Sequence, residues 1–239
     1  MADKKLVENG KDRTDLFIRH FSFWPHLTDA QKDLLSQHTR TVHYAKGEAV
    51  HRGTFDCIGV MLVKTGQLRI YTLSEDGRDV TLHRLFPGDI GIMSATCVFP
   101  AVTFDVYIDA VEDTEILLTD AQAFKRLSDE NIYVKEFGYE TAASRLSEML
   151  WRMQQILFLS ADRRLAVFLL EERAKTKSDD IRLTHEQIAQ FMGSAREVVS
   201  RLMKYFNQEG YVRSGRGRLR ILDPEGLKEL AGDAARIPE

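Results

Sequence analysis

The chain has 239 residues, 44% hydrophobic and 29% charged, with 15 Gly and 5 Pro, which excludes disordered, collagen-like and low-complexity polymers. Its 33 Lys and Arg against 36 Asp and Glu leave a net charge of −3, which excludes a uniformly basic particle that coats nucleic acid without discrimination. The length accommodates two domains of moderate size, each able to bury a core. Met1-Ala2-Asp3-Lys4-Lys5 opens a polar segment with no apolar signal region, and no run approaches the roughly 18 apolar residues that span a bilayer. A cytoplasmic protein without membrane contact is therefore expected. Cys57 and Cys97 fit neither a disulfide framework nor a zinc knuckle and read as reduced thiols.

Seven of the 15 glycines fall between positions 47 and 91, where they punctuate short apolar or alternating runs. Ile58-Gly59-Val60-Met61-Leu62-Val63, Gln67-Leu68-Arg69-Ile70-Tyr71 and Val80-Thr81-Leu82-His83-Arg84-Leu85 have strand length, and Lys64-Thr65-Gly66 and Glu75-Asp76-Gly77-Arg78 separate them as turns. Successive hairpins are predicted, continued by Phe104 to Ala110 and by Glu115-Ile116-Leu117-Leu118, so that residues from about 40 to 120 form a small antiparallel barrel or roll. The period then lengthens. Tyr139, Ala142, Leu146, Met149, Met153 and Ile156 recur at helical spacing, flanked by Ala143, Leu150 and Leu157 every seven positions. Two readings remain for this helix: a seam shared with a second copy, which the width of the stripe favours, or a core helix packed on its own roll. Asp162-Arg163-Arg164 starts another amphipathic helix, followed by a polar loop at Lys175 to Asp180, and a domain boundary is placed near 160.

Thr184-His185-Glu186-Gln187 is a capping box that opens a helix with Ile188, Ala189, Phe191 and Met192 on its apolar side, and Gly193 stops it. Ser194-Ala195-Arg196-Glu197 repeats the capping pattern at once, so a second helix follows a tight turn: a helix-turn-helix. On that second helix Val199, Leu202, Met203 and Phe206 share one face, and Glu197, Ser200, Arg201 and Lys204 share the other, with Arg196 in the first turn. Such a polar face can enter a major groove, where Arg matches guanine and Glu matches cytosine. The segment Tyr211 to Ile221 has strand-like ends around a Gly-rich turn and reads as a β-hairpin wing, with Arg213, Arg216 and Arg218 facing phosphates. Residues 196–220 hold 7 basic and 2 acidic side chains, a local charge that suits a polyanion. The competing readings are that Glu197 only returns the Ser194 capping bond, that Arg201 only pairs with Glu197, and that the wing arginines only protect a sheet edge.

Together these residues resemble the cyclic-AMP receptor protein / fumarate-nitrate regulator (CRP/FNR) family of bacterial transcription factors. The resemblance rests on Tyr44-Ala45-Lys46-Gly47-Glu48, Gly66-Gln67-Leu68-Arg69, Glu75-Asp76-Gly77-Arg78 and Pro87-Gly88-Asp89-Ile90, and most specifically on Gly193 to Arg201. It implies an α+β fold: an N-terminal antiparallel β-roll of the cyclic-nucleotide-binding type (a double-stranded β-helix) over 1–130, a long dimerisation helix over 131–160, and a C-terminal winged helix-turn-helix over 161–239. It also implies a homodimer that reads palindromic double-stranded DNA through Arg196, Glu197 and Arg201, with Thr184, Ser194, Ser200 and Lys204 beside them, and that addresses RNA polymerase.

The effector half departs from the family. Cyclic-nucleotide binders follow the Gly-Asp turn with Gly-Glu for the ribose and later an Arg for the phosphate, whereas here Gly88-Asp89-Ile90-Gly91-Ile92 carries no Glu. No Lys or Arg lies between Arg84 and Lys125, an interval with seven acidic residues, so cyclic AMP is not the expected effector. Two cysteines fall short of the four thiolates of a [4Fe-4S] cluster, and haem held by His or Cys stays open. Ile92, Met93, Cys97, Val98, Phe99 and Phe104 either line a small-molecule pocket or form plain roll core, and Cys97 is a candidate thiol switch. No catalytic or metal-binding motif is present, so no enzyme is expected, and a sensor acting through protein contacts is the alternative to a DNA reader.

Overall fold

The computed structural model describes residues 10–53, 58–75, 77, 79–92 and 106–235. They form two compact units, divided between Leu73 and Ser74, between Thr81 and Leu82 and between Glu148 and Met149, with Ser74–Thr81 belonging to the second. No helix among the described residues is long and apolar enough to cross a membrane.

The first unit begins with α1 (Gly10–His20), a 3-10 turn at Trp24–His26 and α2 (Asp29–Gln37). Thr28 and Gln31 form the capping box that starts α2, each side chain satisfying the other's backbone N–H. Eight strands follow: β1 (Thr39–Tyr44), β2 (Ala49–Arg52), β3 (Val60–Thr65), β4 (Leu68–Leu73), β5 (Asp79–Leu85), β6 (Ile90–Gly91), β7 (Tyr107–Ala110) and β8 (Thr114–Thr119). They build two four-stranded sheets, ordered β1-β8-β3-β6 and β2-β7-β4-β5. Asp120 then caps α3 (Ala121–Glu130) by accepting from the N–H groups of Gln122 and Ala123.

Between the sheets lie Met61, Val63, Leu68, Ile70, Leu85, Ile108, Ile116 and Leu118. The first sheet also buries its outer face: Val60, Leu62 and Leu117 pack against Phe17, Phe21, Phe23, Phe124 and Leu127 from the helices. A strand with a core on both faces needs apolar residues at every position, which is why Val60 to Val63 shows no alternation.

One predicted hairpin is absent. β3 and β4 are not paired; they belong to different sheets. The chain crosses between sheets at Gly66, whose φ is 84° and where a Cβ would sit 2.5 Å from the Asp113 carbonyl oxygen. Thr114 holds the corner, its Oγ1 accepting from the Gln67 N–H at 3.0 Å. The turn chemistry read from the sequence was real, but its glycine directs the chain out of the sheet and not back along it.

Helix α4 (Ile132–Phe158) runs 27 residues. Near its start Val134, Phe137 and Gly138 are buried, Val134 and Phe137 among the Phe-rich core. Beyond that turn, Tyr139, Leu146, Leu150, Met153, Ile156, Leu157 and Phe158 are 43–77% exposed. The apolar stripe is therefore not consumed by the chain's own core.

In the second unit, α5 (Ala161–Thr176) is followed by β9 (Asp180–Ile181), α6 (His185–Met192), α7 (Arg196–Gln208), β10 (Val212–Gly215), β11 (Arg218–Ile221) and α8 (Pro224–Ala231). β10, β11 and β9 make one antiparallel sheet in that order. β9 takes Asp180 out of the predicted polar loop; two residues are too few to show a strand period. The core joins Leu165, Phe168 and Leu169 of α5, Ile188 and Phe191 of α6, Val199, Met203 and Phe206 of α7 and Leu227 of α8.

Two adjacent arginines on α5 close other helices. Arg164 Nη2 donates to the Met192 carbonyl at the end of α6 at 2.8 Å, and Arg163 Nη2 donates to the Ala231 carbonyl at the end of α8 at 2.9 Å. These are charge-assisted bonds to carbonyls that have no partner within their own helices. Burial lowers the Arg164 pKa, yet a guanidinium stays protonated at any working pH. Arg164→Ala is expected to lower the stability of this unit by about 1.5–3 kcal/mol in a urea melt, because it leaves the Met192 carbonyl unpaired.

Candidate DNA-reading surface

The reading head starts at Thr184, which caps α6 as expected: its Oγ1 accepts from the Gln187 N–H at 3.2 Å, and Gln187 Oε1 accepts from the Thr184 N–H at 2.9 Å. Gly193 then adopts a left-handed conformation, φ 61°, and its N–H together with that of Ser194 returns to the carbonyls of Gln190 and Ala189. This is the glycine stop that lets α7 leave in a new direction after two further residues.

The second capping box does not form. The N-cap of α7 is Ala195, which makes no side-chain cap bond, and Ser194 lies one position outside the helix. The Ser194 N–H is taken by Ala189, so the turn holds this residue to α6 while α7 begins beyond it. Glu197 therefore sits second in the helix and has no capping bond to return. The Arg201 pairing with Glu197 is absent too: among the described residues the side chains of Glu197, Arg201 and Lys204 make no hydrogen bond or ion pair with protein. Both of the duller readings of these side chains fall with these two observations.

Val199, Met203 and Phe206 are buried and fix the roll angle of α7; Leu202 is half-buried. Arg196, Glu197, Arg201 and Lys204 are exposed on the opposite side, with Ser200 half-buried among them. Arg196 Nε lies 3.8 Å from Glu186 Oε2. Ser200 Oγ lies 3.1 Å from His185 Nδ1 of α6.

The wing is fastened to α7 by Asn207, a residue that the sequence reading passed over. Its Nδ2 donates to Ser214 Oγ at 2.8 Å and to the Met203 carbonyl at 2.7 Å, and its Oδ1 accepts from the Ser214 N–H at 2.8 Å. On the wing Arg213, Arg216 and Arg218 are exposed while Val212, Leu219 and Ile221 point into the core. Arg213 sits directly across the ladder from Arg220, a like-charge pair that weakens a sheet unless an anion lies near, and Asp180 at 4.0 Å partly supplies one for Arg220. The wing turn passes close to the start of α6: a Cβ at Gly217 would meet the Thr184 methyl at 3.9 Å. Thr184, the exposed side of α7 and the wing arginines thus belong to one continuous part of this unit.

Two family models match the chain: a Crp-like helix-turn-helix domain over residues 163–230 and a cyclic nucleotide-binding domain over residues 41–131. A solved structure described as a transcriptional regulator of the CRP/FNR family from Eubacterium rectale ATCC 33656 is 40% identical, with 89% of this chain and 99% of that one covered and a TM-score of 0.81. The chain belongs to the CRP/FNR family of transcription regulators. The nitrogen fixation regulation protein FixK of Bradyrhizobium diazoefficiens is 28% identical over 235 residues, covering 95% of this chain and 96% of that protein. The transcriptional regulator SdrP of Thermus thermophilus is 27% identical over 180 residues, 71% of this chain and 82% of its own. This CRP/FNR protein is a DNA-binding transcription regulator, and reading DNA is favoured over acting through protein contacts alone.

On the effector side of this CRP/FNR regulator, Ile92 is 1% exposed and packs with Phe17, Phe21 and Phe23. Met93, Cys97, Val98, Phe99 and Phe104, and with them the thiol-switch expectation and Cys57, lie outside the described residues. The interval without Lys or Arg does not leave the roll short of cations. Arg69 and Arg84 are both buried in it, and Arg69 stacks over the Tyr71 ring at 4.5 Å. Arg145 reaches back from α4, with Nη2 3.7 Å from Asp89 Oδ1 and 3.5 Å from the Ile90 carbonyl, while Nη1 holds Glu148 at 2.9 Å. No linear window would have shown Arg145 at the Gly88 to Ile90 turn, because 55 residues separate it from Ile90.

Proposed function

We propose that two copies of this regulator pair along α4 and present two α7 helices to successive major grooves of a palindromic site about 34 Å apart. Within each copy Arg196, Glu197, Ser200 and Arg201 address base edges, and Thr184, Ser194, Lys204, Arg213, Arg216 and Arg218 address the phosphate backbone around them. The observation that carries this reading is the exposed α7 face whose Glu197, Arg201 and Lys204 side chains have no partner among the described residues. Charged side chains held in place by a buried opposite face, and left unpaired, are available to a ligand that pairs them.

The regulator works without catalysis, in the cytoplasm, and hands its DNA position to RNA polymerase. Its signal is something other than cyclic AMP: the residue after Gly91 is Ile92, an apolar core side chain in the place where the nucleotide binders carry a ribose carboxylate. Selection from a random oligonucleotide pool tests the reading, with a symmetric consensus as the expected product. Arg201→Ala is expected to loosen base preference at one position per half-site and to cost roughly 1–3 kcal/mol. Arg216→Ala is expected to weaken all sequences alike and to reduce the salt slope by about one. Identical behaviour of the two variants across a panel of sites would remove the division of roles.

A further inference from the structure

We propose that His185 sets the hydrogen-bond polarity of Ser200 at the DNA surface, making this hydroxyl an acceptor and so a reader of exocyclic amino groups. The inference rests on the reading of α7 as the groove-facing helix and adds a specificity-setting residue from the helix before it. His185 is the first residue of α6, Ser200 is the fifth of α7, and His185 Nδ1 lies 3.1 Å from Ser200 Oγ. The capping box of Thr184 and Gln187 fixes the backbone from which the ring extends. The buried Val199 beside Ser200 fixes the rotation of α7, so the two groups meet through the packing of the helix pair and not through a mobile side chain.

A serine hydroxyl has one proton and two lone pairs, and a neutral imidazole has one donor and one acceptor nitrogen. When Nδ1 accepts the Ser200 proton, the ring proton resides on Nε2 and Ser200 has only lone pairs left to offer. In the major groove the donors that such an oxygen can read are adenine N6 and cytosine N4. Without His185 the Ser200 proton is free to turn, either outward or back to the carbonyl four residues earlier, as helical serines commonly do. The hydroxyl would then accept or donate equally and discriminate nothing. His185 is thus a positioning residue: it acts on the base through Ser200.

The test uses the full-length protein and a panel of duplexes derived from its selected consensus, varied at each position of one half-site. The wild type is expected to prefer adenine or cytosine at the base facing Ser200 by about 5–10-fold. His185→Ala and Ser200→Ala should each erase that preference, and the double variant should lose no more than either single one, since both remove the same contact. His185→Asn, whose side-chain oxygen can accept the same proton, should retain it. A thermal melt of each variant separates this loss of preference from a loss of folding, and Arg201→Ala serves as the control that affects a different position. A guanine or thymine preference facing Ser200, the result of a ring that donates to the hydroxyl, overturns the proposal, as does a preference unchanged in His185→Ala. In those cases the wild type still selects a symmetric site and the broader reading stands; if the wild type selects no site, both fall.

Discussion

Substituting Glu at both Leu150 and Met153 is expected to dissociate the pair of copies and to lower affinity for a full palindrome by about 10²–10⁴-fold while half-site affinity stays unchanged. The two side chains are 49% and 52% exposed on α4, so charges there leave the chain's own core intact. In a paired state each carboxylate would be buried against an apolar helix face and close to its counterpart, without a cation to offset it. Linking two reading heads makes the second half-site contact intramolecular, and it is this gain that the separated copies lose. Light scattering after size exclusion gives the mass, and fluorescence anisotropy on full and half sites gives the two affinities. A variant that keeps the dimer mass would remove α4 from the assembly, and a monomeric one that still holds the full palindrome at wild-type affinity would remove pairing from site recognition.

The second large effect is in the core of the reading head. Phe206→Ala is expected to destabilise the second unit by about 3–5 kcal/mol, a large part of the roughly 5–15 kcal/mol that holds a typical domain. Phe206 is fully buried, meets the ring of Tyr211 edge-on at 5.6 Å between centroids, and its carbonyl accepts the Tyr211 N–H at 3.0 Å where α7 gives way to the wing. Its loss leaves a cavity at the point where α7 and the wing are held in register. DNA affinity and urea midpoint should fall together, whereas Tyr205→Ala, one residue away and 40% exposed, should change the midpoint little. A Phe206→Ala protein within about 1 kcal/mol of wild type would mean that α7 is oriented by something other than this packing.

Local chemistry made much of the reading head legible. Thr184, Gln187 and Gly193 act within a single turn of chain, and the spacing of Val199, Met203 and Phe206 is a property of one helix. The same local view erred at Ser194, because a hydrogen bond to Ala189 in the preceding helix had a prior claim on that residue's backbone and moved the cap to Ala195. Asn207 and His185 went unread for a related reason. Each works by bonding a partner 7 or 15 residues away across a turn, and the only available signal was a polar side chain placed where solvent would also suit it. The N-terminal helices went unread as well, and there Phe17 of α1 and Phe21 just beyond its end stack their rings at 5.4 Å.

By itself the sequence determined the order of the parts, the helix-turn-helix and the polar side of its second helix, since caps, turns and face periodicity depend on neighbours a few residues apart. Tertiary structure decided which strands share a sheet, how Arg145 meets Asp89, and which exposed charges find no partner. Those outcomes depend on groups brought together from distant parts of the chain, and a contact between residues 89 and 145 leaves no periodic trace in the segment that contains either one.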